Sequence, residues 1–198
     1  MHLLLTLLVP LYVMAPTDAV VRDRMGQGQP SPAPVRADST SSMVRESHSA
    51  ALDVPIITQA RERCGQAALA MVLRYYGAAP AALREVDAAY DPALRGSLIT
   101  DLATAARRAG YDAAVETLTP DGLIALLDEG VPPILLYQNG AGPITVRHYG
   151  VVTRWDEAGA SFTMNDGSAH PRVATRGDLA KRWQTAGSQA LIVRPVMR

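Results

Sequence analysis

The sequence predicts an α+β fold in which N-terminal helices pack on a C-terminal antiparallel sheet. Three observations carry that expectation. From residue 65 to residue 130, apolar residues recur at helical spacing, and glycine or proline punctuates each run. Beyond Pro132 the runs are short and rich in β-branched and aromatic side chains. Asp156 to Gly159 supplies a hairpin turn between two of those runs, which makes them antiparallel neighbours.

Taken in order, Val54 to Thr58 reads as a short extended run opened by Val-Pro. Gly65 to Tyr76 carries Ala68, Leu69, Val72, Leu73 and Tyr76 on one helical face and stops at Gly77. Pro80 to Tyr90 and Ser97 to Ala109 are two further helices. Ser97 is the expected cap of the second, Gly110 its stop, and Leu98, Leu102, Ala105 and Ala106 its inner stripe. Tyr111 to Leu118 reads as a strand, and Thr119-Pro120-Asp121 opens a helix that Gly130 closes. Four strands follow at Pro132–Gln138, Thr145–Trp155, Ala160–Asp166 and Gln189–Pro195, with a helix over about 176–185 before the last. The sequence shows no internal repeat.

Length and composition suit one domain with an appendage: 198 residues, 48% hydrophobic, 19 cations against 19 anions. All cations but Lys181 are arginine, and they are scattered, so the basic face a nucleic-acid partner requires is missing. Leu3 to Ala15 is an apolar run interrupted by Pro10 and followed by Ala19. A membrane span needs about 20 residues, so this shorter run suits the apolar part of a signal peptide, although only His2 precedes it. Residues 1–19 therefore read as a signal peptide. Residues 20–50, rich in serine and proline and poor in large apolar side chains, read as a linker or pro-segment. Residues 51–198 are the expected domain. The expected location is outside the cytoplasm, periplasmic or secreted, with a membrane tether if the first segment stays uncleaved.

Cys64 is the only cysteine, so no internal disulfide is open to it. Number alone leaves two readings, a small buried hydrophobe or a reactive thiol. Position favours the second. Cys64 stands where a helix begins, where the positive end of the macrodipole favours a thiolate. Gly65 after it removes a side chain next to the sulfur, and the flanking Arg61-Glu62-Arg63 is unlike a core. A base must then come from four histidines. His2 lies in the leader, His48 in the linker and His170 in a loop before proline, which leaves His148 on a strand. Asp166 ends the next strand of the hairpin. Neighbouring strands lie about 5 Å apart, so its carboxylate is within reach of the imidazole.

The segments VPIITQARERCGQAALAMVLRYYG (54–77), HYGVV (148–152) and NDG (165–167) resemble the C39 family of papain-like cysteine peptidases. That family is known from bacteriocin-processing domains of export transporters and from stand-alone domains. The resemblance implies a papain-like fold with Cys64 as nucleophile, His148 as base and Asp166 as the acid orienting it. It also places Gln59 as a side-chain donor to the oxyanion hole, together with the Cys64 N–H. Three departures stand out: Gln66 where the family has proline, Gly150 where a bulky residue is usual, and Gly167 in place of a common proline. The implied partner is a peptide or protein substrate, with a co-exported peptide or an export system as context. No cofactor or metal is expected. Two other functions fit the same residues: an acyltransferase or amidase using the same thioester, and a peptide-binding module without catalysis.

Overall fold

The computed structural model describes residues 49–141 and 144–197. The expectations for residues 1–19 and for residues 20–48 lie outside the described residues. The fold begins with a strand, β1 (Ser49–Ala51), that sequence reading did not identify and that takes up the end of the expected linker. Then follow α1 (Cys64–Tyr75), α2 (Pro80–Asp87), α3 (Ile99–Arg108), β2 (Tyr111–Thr117) and α4 (Pro120–Asp128). The second half holds β3 (Ile134–Ala141), β4 (Ile144–Asp156), β5 (Ser161–Asn165), β6 (Arg172–Thr175), α5 (Arg176–Gln184) and β7 (Gln189–Pro195). The short β6 is the second strand that the sequence pattern did not reveal.

All seven strands join one antiparallel sheet in the order β2-β7-β3-β4-β5-β6, with β1 pairing the far end of β4. The α+β expectation holds, but helices cover both faces rather than one. Alternation along the strands explains why. Ile134, Leu136, Tyr149, Val151, Leu191 and Val193 point to the side where α1, α2 and α3 pack. Leu135, Tyr137, Val152 and Ala190 point to the other, against Leu123 and Leu127 of α4 and Leu179 and Trp183 of α5. A strand buried on both faces cannot show the one-sided alternation of a half-exposed sheet, and its continuous apolar run is the result.

Helix ends follow local chemistry. Thr119 and Thr175 accept backbone N–H groups of Gly122 and Asp178 at the starts of α4 and α5. Ser97 does not cap α3: Leu98 occupies that position without a side-chain bond. The Ser97 hydroxyl instead accepts Gln66 Nε2 at 2.7 Å, which ties the segment before α3 to the first turn of α1.

Candidate active site

Cys64 is the first residue of α1, so its own N–H has no partner within the helix. Gly65 explains how the thiol reaches the sheet. It is buried, and a Cβ there would stand 3.0 Å from Leu102 Cδ1 and 3.3 Å from Tyr149 Cδ2. Its role is thus close packing of α1 against α3 and β4. Gly65 faces inward rather than clearing space in front of the sulfur.

His148 sits in β4, 9% exposed, opposite Tyr137 of β3, whose ring meets it edge-on at 5.8 Å between centroids. The Cys64 thiol and the imidazole are hydrogen-bonded. Burial alone would raise the thiol, but the bond to His148, helped by the backbone N–H groups of Tyr149 and Gly65, holds it below the ordinary cysteine value. The imidazole moves the opposite way. Burial pushes it down, but the thiol and the Asp166 carbonyl raise it above the usual histidine value. Opposite shifts in a contacting pair favour thiolate with imidazolium, and the two groups titrate together.

Asp166 follows β5 and stands next to His148, through a different atom from the one expected. His148 Nε2 meets the Asp166 main-chain carbonyl at 2.8 Å. The carboxylate points elsewhere: Oδ1 accepts the Ser168 N–H and Oδ2 accepts Arg172 Nη1, each at 3.1 Å. Burial raises this acid, but Ser168 and Arg172 together hold it below the usual carboxylate range. The turn has a second anchor in buried Asn165, whose amide donates to the Val54 carbonyl at 3.0 Å.

Gln59 is exposed and enters the same site from the extended segment before α1. Its N–H donates to the Gly167 carbonyl at 3.0 Å, and its side chain lies across Gly167. Gly167 has φ +83°, and a Cβ there would stand 2.8 Å from Gln59 Oε1. Proline, fixed near −65°, cannot occupy that conformation, so the glycine in its place is required by the turn. Gly150, where a bulky residue is usual, leaves no gap near His148. Met164 Cε and Tyr137 Cε1 would lie 2.9 Å and 3.2 Å from a Cβ there, so they already fill the space. His170 is exposed after the turn and joins none of these contacts.

Cys64, His148 and Gln59 line one cleft of about 650 Å³. Its outer wall is the segment around Leu94 to Leu98, which sequence reading did not assign to the site. Glu62 holds this wall: it pairs with Arg95, whose Nε donates at 2.9 Å, and accepts the Tyr90 hydroxyl at 3.2 Å. Tyr149 donates its hydroxyl to the Ser97 carbonyl at 3.0 Å, fixing the wall to β4. Glu62 and Arg95 both adopt positive φ, which no sequence pattern signals for these residue types. Among the described residues, no three His, Cys, Asp or Glu side chains gather as metal ligands.

Comparison with known proteins agrees with this fold. The model of the Peptidase_C39 like family matches residues 51–191. Among solved structures, the chain is similar to a double glycine motif protease from an AMS/PCAT transporter in complex with the leader peptide. That match has 24% identity and TM-score 0.58, over 74% of this chain and 95% of the other. The peptidase domain of Streptococcus ComA, a bi-functional ABC transporter, matches at 21% identity and TM-score 0.55, over 71% and 97%. A Bacillus anthracis protein described as a C39-like peptidase matches at 17% identity and TM-score 0.60, over 76% and 98%. No curated protein sequence matches the chain.

Proposed function

As the chain belongs to the C39-like peptidase family, we propose that it is a cysteine peptidase, with Cys64 as nucleophile and His148 as its base. Asp166 orients His148, and Gln59 donates to the oxyanion. The observation that carries this reading is the Cys64–His148 pair in the cleft, with the thiol shifted down and the imidazole shifted up.

The steps follow from the atoms present. Cys64 Sγ bonds to the substrate carbonyl carbon, and the carbonyl π electrons move to oxygen. The oxyanion accepts from the free Cys64 N–H and from the Gln59 amide. The imidazolium of His148 protonates the departing amine as the C–N bond breaks, leaving a thioester. Water then gives a proton to His148 and attacks that thioester; the S–C bond breaks and the thiolate returns.

The substrate class is a peptide or a protein segment. A solved neighbour binds a leader peptide and another belongs to an ABC transporter, which supports a co-exported peptide as substrate and an export system as context. Action outside the cytoplasm rests on the apolar run at residues 3–15. The direct test is an electrophilic peptide probe on the full chain, read by intact mass. One adduct is expected on the wild type, with none on Cys64→Ala and a strongly slowed reaction on His148→Ala. Equal adduct formation by His148→Ala would remove the histidine from the mechanism. Added amine nucleophiles should leave hydrolysis as the main outcome; dominant aminolysis would reassign the chain to acyl transfer.

A further inference from the structure

A carboxylate stands beside the His148 imidazole without taking its ring nitrogen. The Asp166 side chain is 2% exposed, and both its oxygens are occupied, by the Ser168 N–H and by Arg172. Only the main-chain carbonyl of Asp166 meets Nε2, at 2.8 Å. A carbonyl accepts but never donates, so neutral His148 carries its proton on Nε2 and keeps Nδ1 as its acceptor.

Arg172 is well placed to impose this choice. It is the first residue of β6 and pairs with Met164 of β5, two residues before Asp166. The same Nη1 that meets Asp166 also reaches Asn139 Oδ1 of β3 at 3.2 Å. One guanidinium nitrogen therefore bridges the Asp166 turn and the strand next to His148.

Building on the peptidase reading, we propose that Arg172 is a positioning residue for His148: by holding the Asp166 carboxylate, it aims the Asp166 carbonyl at Nε2. Without the guanidinium, a buried carboxylate would keep only its bonds to Ser168 and lose its counter-charge, which is costly and frees the turn that aims the carbonyl. Arg172 also offsets negative charge that the ring would otherwise feel. The groups facing His148 are Cys64 from α1, Tyr137 from β3 and Asp166 from the turn after β5, with Arg172 of β6 behind Asp166.

The test needs no substrate. Full-length protein carrying 15N-histidine is titrated by NMR, reading the tautomer and the midpoint of His148. Wild type and Asp166→Asn are both expected to keep the Nε2–H tautomer, because the carbonyl survives the substitution. Arg172→Met should raise the His148 midpoint by about one unit, as the carboxylate loses its counter-charge, while Arg172→Lys stays within about 0.3 unit. Loss of the tautomer preference in Asp166→Asn would make the carboxylate the acceptor and overturn the proposal. So would an unmoved midpoint in folded Arg172→Met, or in Arg172→Gln if the methionine variant does not fold. A protein that passes this test yet cleaves no peptide would retain the positioning role and lose the peptidase reading.

Discussion

Gly65→Ala separates packing from chemistry in the site. The added methyl carbon would lie 3.0 Å from Leu102 Cδ1 and 3.3 Å from Tyr149 Cδ2. Leu102 is fully buried and Tyr149 is held by its hydroxyl bond to Ser97, so neither neighbour moves freely. Overpacking of this kind costs about 1–3 kcal/mol. Against that, alanine gains up to about 1 kcal/mol over glycine in a helix, less at a first turn. The net cost is roughly 0–2 kcal/mol, so the variant should fold with a melting temperature only a few degrees lower. The site should fare much worse. Relief of the contact requires the start of α1 to shift by a few tenths of an ångström from β4, and that shift lengthens the thiol–imidazole hydrogen bond. A thiol returned to its ordinary value loses about tenfold in thiolate fraction per pKa unit. Iodoacetamide labelling at pH 6, followed by intact mass, should therefore slow clearly relative to wild type. Wild-type labelling in a folded Gly65→Ala protein would refute the claim that this glycine sets the distance between helix and strand.

Other outcomes follow from the same contacts. Labelling of wild-type Cys64 should begin below the ordinary thiol range near pH 8.5 and lose that advantage in His148→Ala, because the imidazole is the main group lowering the thiol. Asp166 has a depressed folded value, so its stabilisation is present above the unfolded carboxylate value and fades as pH falls through the folded one. Acid melts of Asp166→Asn should show a flatter pH dependence across that window. Gly167→Ala should lose about 1–2 kcal/mol from its positive φ alone, read by thermal melting, and should displace Gln59 as well. Gln59→Ala should leave thiol labelling unchanged while reducing turnover of a cleaved peptide by about 10²–10³. Slowed labelling in that variant would point to a structural role for the amide.

The helices around the nucleophile were legible because their signals are local. Gly77, Gly110 and Gly130 each end a periodic apolar run, and all three adopt the positive φ that such stops need. Cys64 and His148 were legible through scarcity: one cysteine, and one histidine on a strand. What escaped the sequence depends on distant partners. β1 and β6 are three and four residues long and are strands only because β4 and β5 accept them. Ser97 carries the usual residue type for a cap, yet the buried Gln66 amide claims its hydroxyl. Asp166 meets the imidazole with its carbonyl while its carboxylate is taken by Arg172, six residues further on, and strand spacing alone cannot tell a carbonyl from a carboxylate.

The segment from Ser49 to Gln59 gives the site mechanical shelter. The segment starts with β1, which lies alongside Arg154 to Asp156 of β4. Between there and Gln59 come three further stitches: Leu52 N–H to the Thr153 carbonyl, the Asn165 amide to the Val54 carbonyl, and Gln59 N–H to the Gly167 carbonyl. A pull on the N-terminal end meets β1 in shear against β4 first, and each later stitch must part before the strain arrives at Gln59. Strain entering at β1 is thus shared among bonds to the sheet, and Gln59 keeps its place beside Gly167.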